Sequence, residues 1–298
     1  MRDKKDAASG SRGKRKVRLL PIILIIIVLV VGILLYDSNT RLVTGEYELS
    51  YPNLPGAFDG FRIVVLSDIH AAEFGKNNER LVTSVRDADP DIIAITGDFI
   101  HYSRAHPVEA QIEIAETLVE ALTPIAPIYF VTGNHEWDRR IGGPWALFAV
   151  LEEQGVSILR NRHTRIEVGG ESIILAGTED RNGRADMIEP DEFVVRIREA
   201  EGEDFLVVLE HRNFNLKLYS DLGVDLVLCG HSHGGIIRLP FTDGLIGQQR
   251  DLFPTYTNGV YSMTETNMVV SRGIGNHTGL LRFLNNPHVV VVELKIEN

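Results

Sequence analysis

The sequence predicts an α/β domain preceded by one membrane-spanning helix. From Phe61 onward, short apolar, β-branched runs alternate with segments that have helical spacing, and this alternation is typical of an α/β fold. Ahead of them lies an uncharged apolar run of 17 residues, Leu19 to Leu35. With a rise of about 1.5 Å per residue, such a run just crosses a thin hydrocarbon core. Polar residues that follow the apolar runs predict a ligand site at one edge of the sheet.

Residues 19–36 are interpreted as an uncleaved transmembrane anchor. Residues 1–18 form a basic tail with eight Lys or Arg and two Asp, a net charge of +6. The positive-inside rule places this tail in the cytoplasm and the rest of the chain on the extracytoplasmic side of the cell membrane. A cleaved signal peptide is the alternative. The apolar run is longer than most signal sequences contain, however, and no small-x-small cleavage site follows it.

The remaining elements are predicted in chain order from the period of the apolar residues. Residues 37–60 are interpreted as a juxtamembrane connector with one strand at 46–50, and residues 61–298 as the folded domain. The predicted strands share apolar, β-branched sequences and are 61–67, 91–96, 127–132, 163–168, 171–177, 204–209, 224–229 and 289–295. The predicted helices are 78–88, 107–122, 144–154 and 190–200. A hairpin across Gly169-Gly170 and a β-rich C-terminal part indicate a second sheet with more antiparallel pairing.

Charge and cysteine content limit the classes of function. The chain has a net charge of −11, so the part after the basic tail carries −17. An acidic domain repels nucleic-acid backbones, and no nucleic-acid partner is expected. The single cysteine, Cys229, excludes an internal disulfide and is interpreted as a buried small hydrophobic residue of its strand.

Five short polar clusters carry the functional information. Each follows an apolar, strand-like run, so the strands would deliver Asp, Asn and His side chains to one edge of a sheet. The clusters are Asp68-Ile69-His70, Gly97-Asp98, Gly133-Asn134-His135-Glu136, His211 and Gly230-His231-Ser232-His233. Seven such groups at one edge would form an oxygen and imidazole cage large enough for two metal ions. Each cluster alone is also compatible with a helix cap or a plain loop, so their order and shared context carry the prediction.

The order D-x-H, G-D, G-N-H-[D/E], H, G-H-x-H resembles the signature of the calcineurin-like metallophosphoesterases. The resemblance extends over about residues 61–293. Three further stretches, FDGFRIVVLSDIH, VDLVLCGHSHGG and SRGIG, are similar to the membrane-associated bacterial branch of that family. The resemblance implies a four-layer sandwich, in which helices flank two mixed β-sheets, and the activity of a two-metal hydrolase.

The resemblance also implies a ligand set for two divalent ions. The implied ligands are Asp68, His70 and His233 for the first ion, Asn134, His211 and His231 for the second, and Asp98 as the bridge. Manganese, iron and zinc ions accept this mixture of carboxylate, amide and imidazole ligands. A hydroxide held between the two ions would attack phosphorus, and the ions would neutralise the phosphoryl oxygens.

His135 is the implied catalytic residue. As the histidine of the GNH motif it would lie near the leaving oxygen, where it would donate a proton or stabilise the developing negative charge. Glu136 follows it, and the sequence leaves two roles open: it orients the imidazole, or it is a helix-start acid. His101 stands three positions after Asp98, where the purple-acid-phosphatase branch has tyrosine. It is interpreted as a solvent-exposed loop histidine, with a pocket-lining histidine as the alternative.

Two other features are interpreted as structural. A second Gly-Asn-His, at 275–277, follows a Gly-x-Gly and not an apolar strand, so a turn with a surface histidine is expected. The resemblance nevertheless implies that this late loop lies near the pocket. Trp137 and Trp145 are expected to pack in the core or at a partly buried surface.

The sequence therefore predicts a membrane-anchored, metal-dependent phosphoric ester hydrolase, most simply a phosphodiesterase. Its expected substrate is a phosphoester at or near the membrane or cell wall, for example a lipid-linked or wall-linked one. The alternative is a non-catalytic binding or scaffold protein on the same fold. All seven implied ligands and His135 are present, which favours the enzyme.

Overall fold

Two six-stranded mixed sheets form the centre of the molecule, and their strands are the apolar runs of the sequence. The structure is a computed structural model, and it describes residues 19–183, 188–247, 250–276 and 279–297. The strands are β1 Val43–Tyr51, β2 Arg62–Leu66, β3 Ile92–Thr96, β4 Ile128–Val131, β5 Ser157–Ile158, β6 Arg162–Val168, β7 Glu171–Gly177, β8 Leu206–Leu209, β9 Leu226–Cys229, β10 Gly259–Met263, β11 Thr266–Val270 and β12 His288–Ile296. The helices are α1 Leu19–Thr40, α2 Glu79–Asp87, α3 Val108–Leu122, α4 Trp145–Glu153, α5 Pro190–Glu201 and α6 Leu216–Asp221.

The two sheets differ in how much antiparallel pairing they contain. The first sheet has the order β1-β12-β2-β3-β4-β5, and its one antiparallel pair is β12 with β2. The second has the order β10-β11-β9-β8-β7-β6, and its two outermost pairs are antiparallel. The second sheet is therefore the more antiparallel one, as predicted.

Three apolar clusters separate four layers of structure. Because side chains alternate across a strand, β2 sends Ile63 and Val65 between the two sheets and Val64 and Leu66 toward helices α2, α3 and α4. On the second sheet, Val208 of β8 faces a third cluster, which α5 and α6 cover. This arrangement confirms the predicted four-layer sandwich. Cys229 is fully buried in the third cluster, as expected for a small apolar residue.

Strand β1 differs from the connector predicted for residues 37–60. It pairs in parallel with β12 over nine residue pairs and forms the edge of the first sheet. Alternation along the strand explains this, because Tyr47, Leu49 and Tyr51 pack toward the space between the sheets while their neighbours face solvent. The segment is thus built into the sheet, and the strand is longer than the predicted 46–50. The predicted basic tail, 1–18, lies outside the described residues.

Helix α1 is long and apolar enough to cross a membrane. It has 22 residues, and its most apolar window has a mean hydropathy of 3.3 with none of its residues buried. The helix continues past the predicted end at residue 36 because its last turn is bonded to the domain. Asn39 Nδ2 donates to the Arg282 carbonyl at 2.8 Å, and Arg282 N donates back to Asn39 Oδ1 at 3.0 Å. Asn286 Nδ2 also donates to the Asp37 carbonyl at 2.8 Å.

Candidate metal centre

The predicted ligands all lie in loops at the carboxyl ends of parallel strands. Strands β2, β3 and β4 of the first sheet and β8 and β9 of the second each end two to four residues before a ligand. Parallel strands place their carboxyl ends at the same edge, so both sheets contribute to one site. The side chains brought together there are Asp68, His70, Asp98, Asn134, His135, His211, His231 and His233.

The first group consists of Asp68, His70 and His233, whose ligand atoms all lie within 4.8 Å of one another. His70 Nε2 is 3.2 Å from His233 Nε2, and His233 Nε2 is 3.4 Å from Asp68 Oδ1. All three residues are buried. This is the set that the sequence predicts for the first ion.

The second group is centred on His211. Its Nε2 is 3.1 Å from Asp98 Oδ2, 3.1 Å from His231 Nδ1 and 3.2 Å from Asn134 Oδ1. These residues are the predicted ligands of the second ion together with the predicted bridge.

Asp98 joins the two groups. Its Oδ2 atom, next to His211, is also 3.8 Å from His70 Nε2 of the first group and 3.9 Å from His135 Nε2. A single carboxylate oxygen therefore faces both groups, which is the geometry expected of a bridging ligand.

The residues fit divalent metal ions on two counts. Ligand atoms about 2.0–2.2 Å from a metal ion in tetrahedral or octahedral geometry are roughly 2.9–3.5 Å apart. The contacts of His233 with His70 and Asp68, and those of His211 with Asp98, His231 and Asn134, have this spacing, at 3.1 to 3.4 Å. In addition, Asp68 Oδ1 and Asp98 Oδ2 are buried and accept no hydrogen bond. A buried carboxylate oxygen without a donor is costly unless a cation compensates it.

The opposite side of each ligand is held by the protein. Asp68 Oδ2 accepts hydrogen bonds from Ser67 Oγ at 2.7 Å and from His231 N at 2.9 Å. Asp98 Oδ1 accepts one from His135 N at 2.8 Å. His211 Nδ1 donates to the Thr96 carbonyl at 2.8 Å, which turns its Nε2 toward Asp98 and Asn134. Such outer contacts fix the orientation and the tautomer of metal ligands.

Backbone conformation adds a further sign of a functional site. Five of the seven predicted ligands have positive φ, which is uncommon outside glycine and concentrates at functional sites. They are Asp68 at 50°, His70 at 48°, Asp98 at 54°, His231 at 67° and His233 at 48°. The motif glycines allow these loops to approach one another. A Cβ at Gly230 would overlap Ser67 Oγ and Asp68 Oδ2, and one at Gly133 would overlap Asp98 Oδ1.

The pKa values of the two buried carboxyl groups, Asp68 and Asp98, are shifted in opposite directions. Burial raises the pKa of Asp68 to about 6, and the negative charge of Asp98 adds to the effect. Burial also opposes ionisation of Asp98, but His211, with His135 and His70, holds the pKa of that carboxyl well below its usual range. Asp98, the carboxylate that faces both groups, is therefore the more readily ionised of the two.

Glu136 has neither of the roles that the sequence left open. Its buried carboxylate accepts hydrogen bonds from the backbone N–H groups of Asp98, Phe99, Ile100 and Gly133, at distances of 2.7 to 3.3 Å. Burial and the nearby Asp98 raise its pKa to about 7. Glu136 therefore connects the loop that carries Asp98 to the loop that carries Asn134. Sequence reasoning missed this role because these partners are backbone groups, which have no sequence pattern.

His135 lies at the rim of the site. Its side chain is 14% exposed, whereas the side chains of His70, Asp98 and His211 are fully buried. Burial lowers the pKa of the His135 imidazole. His101 is half-buried and lies beside the site, with its ring 5.3 Å from that of His70, so the prediction of a solvent-exposed histidine is wrong.

Two residues behind His233 also have no sequence signal. Arg282 is fully buried, and its Nη2 donates to the Gly275 carbonyl at 2.6 Å and to the Gly273 carbonyl at 3.2 Å. Asn285 Nδ2 donates to the His233 carbonyl at 2.7 Å. These residues support the loop of the first group from the side that also contacts helix α1.

The late glycine-rich loop packs directly against the first group. Ile274 N donates to the Ser67 carbonyl at 3.0 Å, and Gly275 N donates to the Asp68 carbonyl at 2.7 Å. His277, the histidine of the second Gly-Asn-His, lies outside the described residues.

The two tryptophans form a surface cluster in which Trp137 is half-buried, as predicted, and Trp145 is 43% exposed. Their ring centroids are 5.8 Å apart, and the Arg160 guanidinium lies 5.4 Å from the Trp137 ring and 5.5 Å from the Trp145 ring.

Two cavities open beside the second group. One, of about 280 Å³, is lined by His211, Arg212 and Phe214 among others. The other, of about 220 Å³, is lined by His231, Phe214 and Tyr256 among others. Phe214 lines both cavities and is 46% exposed, and one histidine of the second group lines each of them.

Comparison with known proteins agrees with this geometry. A sequence model of calcineurin-like phosphoesterases matches residues 61–235, which include every residue of the two groups. The chain belongs to this family. The match confirms the resemblance seen in the sequence motifs, and the members of this family are hydrolases.

Relatives of this phosphoesterase occur in bacteria and in a vertebrate. The uncharacterized metallophosphoesterase YkuE of Bacillus subtilis is 27% identical over 270 residues, which is 90% of each chain. The phosphodiesterase YaeI of Escherichia coli is 27% identical over 239 residues, 78% of this chain and 82% of YaeI. A transmembrane protein with metallophosphoesterase domain from Danio rerio is 27% identical over 265 residues, 84% of this chain and 56% of the relative.

Proposed function

We propose that this protein is a membrane-anchored phosphodiesterase that works with two divalent metal ions. The observation that carries the proposal is Asp98 Oδ2, a buried carboxylate oxygen that faces two separate groups of ligands. The relative YaeI is named a phosphodiesterase, and this supports the choice of a diester.

Asp68, His70 and His233 would hold one ion, Asn134, His211 and His231 the other, and Asp98 both. When bound, two such ions would neutralise phosphoryl oxygens and lower the pKa of a water molecule. The ligand types accept manganese, iron or zinc. The protein supplies the orientation, because Ser67, Thr96 and backbone N–H groups hold the ligands from behind.

The proposed role of His135 is to act on the leaving group. It is partly exposed at the rim, and its Nε2 lies 3.9 Å from the shared Asp98 oxygen. A phosphate bound over the two groups would therefore lie beside this imidazole. His135 would donate a proton, or a hydrogen bond, to that oxygen as the P–O bond breaks.

The two cavities that Phe214 lines support a diester. A phosphodiester has two ester groups, and the cavities of about 280 and 220 Å³ are each lined by a histidine of the second group. A monoester would need only one of them.

Helix α1 supports anchoring at the membrane. It is an exposed apolar helix of 22 residues, and a relative from Danio rerio is named a transmembrane protein. The cell membrane, with the catalytic domain on the extracytoplasmic side, is the location that we propose from the basic tail.

The test uses the full chain in detergent, stripped of metal and then resupplied with Mn²⁺, Zn²⁺, Fe²⁺ or buffer alone. Hydrolysis of a chromogenic phosphodiester is followed beside the matching monoester. We expect turnover only after metal is restored, faster with the diester, and lost in Asn134→Ala. Asn182→Ala, an exposed asparagine outside both groups, is the matched control. A folded protein that binds no metal and hydrolyses neither ester would contradict the proposal and favour a scaffold role.

A further inference from the structure

Exposed apolar side chains are concentrated at one place in the domain. Outside helix α1, eight large apolar side chains among the described residues are exposed. Five of the eight belong to two neighbouring loops, 236–256 (without 248–249) and 279–287, and these five include the four most exposed, at 62 to 107%. We call these five residues the apolar rim: Leu239, Phe241, Leu252, Phe253 and Leu281. A patch of this kind on a soluble surface marks an interaction site.

The two loops are joined by backbone hydrogen bonds. Arg238 N donates to the Phe283 carbonyl at 3.0 Å, Leu245 N to the Ile237 carbonyl at 2.8 Å, and Phe253 N to the Leu245 carbonyl at 3.1 Å. Four chain segments therefore lie side by side, in the order Phe283, Ile237, Ile246 and Leu252. Neighbouring strands lie about 4.8 Å apart, so the three spacings between these segments add up to roughly 15 Å.

This row of four segments begins at the end of helix α1. Arg282, next to Phe283, exchanges two hydrogen bonds with Asn39 in the last turn of the helix. The side chains of Leu34 and Leu35 are half-buried, whereas those of residues 19–33 are exposed. The domain therefore covers the last part of the apolar run itself, and no spacer separates the domain from the segment that would lie in the bilayer.

The same loops reach the metal centre. Asn285 donates to the His233 carbonyl, and the cavity of about 220 Å³ beside His231 is lined by Pro254 and Thr255, directly after Phe253. The apolar rim and the site therefore share one set of loops.

We propose that the apolar rim enters the surface of the lipid bilayer beside helix α1 and holds the metal centre at the level of the lipid headgroups. The substrate class that fits this position is a phosphodiester within a lipid headgroup. The proposal rests on the proposed anchoring and hydrolase function, and it deepens both. Continuity with α1 identifies the bilayer as the occupant, because the rim begins where the apolar helix ends.

The test places an environment-sensitive fluorophore on the rim of the full chain. Cys229 is fully buried, so an added exposed cysteine is labelled selectively. Phe241→Cys and Phe253→Cys are labelled and reconstituted in vesicles of phosphatidylethanolamine and phosphatidylglycerol. Val195→Cys, on helix α5 and 42% exposed, is the control. We expect blue-shifted emission at both rim positions, quenching by spin-labelled lipid and protection from iodide, with none of these at position 195.

Two results would overturn the proposal. Iodide quenching at positions 241 and 253 equal to that at 195 would show that the apolar rim is exposed to water and does not enter the bilayer. Protection from iodide without quenching by lipid would show contact with a second copy of the chain. The fluorescence requires neither metal nor turnover, so its failure is distinct from failure of the proposed hydrolysis.

A second variant tests the consequence for substrate. Phe241→Ser/Phe253→Ser is expected to lose turnover of a fluorescent phospholipid diester in vesicles and to keep its turnover of the soluble chromogenic diester. Equal loss of both activities, or no loss of either, would contradict the proposal that the apolar rim holds the metal centre at the lipid headgroups.

Discussion

Two aspartate side chains of the site, Asp98 and Asp68, use their two carboxylate oxygens for different purposes. Asp98 uses Oδ1 to accept a hydrogen bond from His135 N and leaves Oδ2 to face both ligand groups. Asp68 divides its oxygens in the same way. The protein thus fixes each carboxylate without using the oxygen that a metal ion needs.

Replacing Asp98 by asparagine tests this division. Asp98→Asn keeps the side-chain shape and an oxygen for His135 N, but removes the charge that both ions share. We expect metal content to fall from two ions per chain to one or none. Diester turnover should fall by more than the roughly 10–100-fold that loss of an outer contact costs. Elemental analysis and hydrolysis assays measure both, and unchanged metal content would contradict the bridging role.

Glu136→Gln tests the connection between the two loops. The amide end of glutamine would face backbone N–H groups that now donate to a carboxylate oxygen. Each buried donor left unpaired costs about 1–3 kcal/mol, so thermal unfolding should occur at a lower temperature and metal affinity should fall. Glu120→Gln, at an exposed position on α3, is the control and should change neither.

Residue roles were predictable only where a sequence motif specified them. The seven predicted ligands converge because each follows a strand, and a strand is visible in the sequence as an apolar run. Glu136, Arg282 and Asn285 act on backbone groups that are distant in the sequence, so no motif indicated their contacts.

At the scale of elements, strand ends and tight loops create the site. The predicted strands and helices agree with the structure to within a few residues, because burial on both faces gives β2, β3, β8 and β9 nearly continuous apolar sequences. The extension of β1 was missed because residues 43–45 include Thr and Gly and show little apolar alternation in the sequence, although burial alternates along the whole strand. Its pairing with β12 depends on a segment over 240 residues away.

Gly230→Ala tests the close approach of the loops. The added methyl group would overlap Ser67 Oγ and Asp68 Oδ2, so the first ligand group would have to shift. We expect a loss of about 1–3 kcal/mol in the free energy of unfolding, together with weaker metal binding. Gly56→Ala is the control, because its methyl group meets only an ordinary contact with Glu171 at 3.6 Å. Equal stability of the two variants would show that the loops around Gly230 can accommodate a methyl group, and would contradict the close approach.

For the whole molecule, the notable feature is the direct attachment of helix α1 to the loops that support the site. Asn39 bonds to Arg282, and Arg282 bonds to the carbonyls beside the first ligand group. The sequence showed the helix and the motifs as separate features and gave no sign of this contact.

Asn39→Ala tests the attachment. It removes the hydrogen bonds to the Arg282 backbone, so we expect a loss of about 1–2 kcal/mol in stability. Turnover of vesicle-borne diester should fall more than turnover of a soluble diester, because the orientation of the domain at the membrane is loosened. The control Asn182→Ala should affect neither activity, and an equal response of both substrates to Asn39→Ala would contradict the orienting role.

The most direct test of the two-metal centre is anomalous X-ray diffraction from crystals of the full chain grown with Mn²⁺. We expect two anomalous peaks about 3.5–4 Å apart, with Asp98 Oδ2 between them. One peak should lie among Asp68, His70 and His233, and the other beside His211 and His231. A single peak, or peaks away from Asp98, would contradict the shared carboxylate and the two-metal chemistry that depends on it.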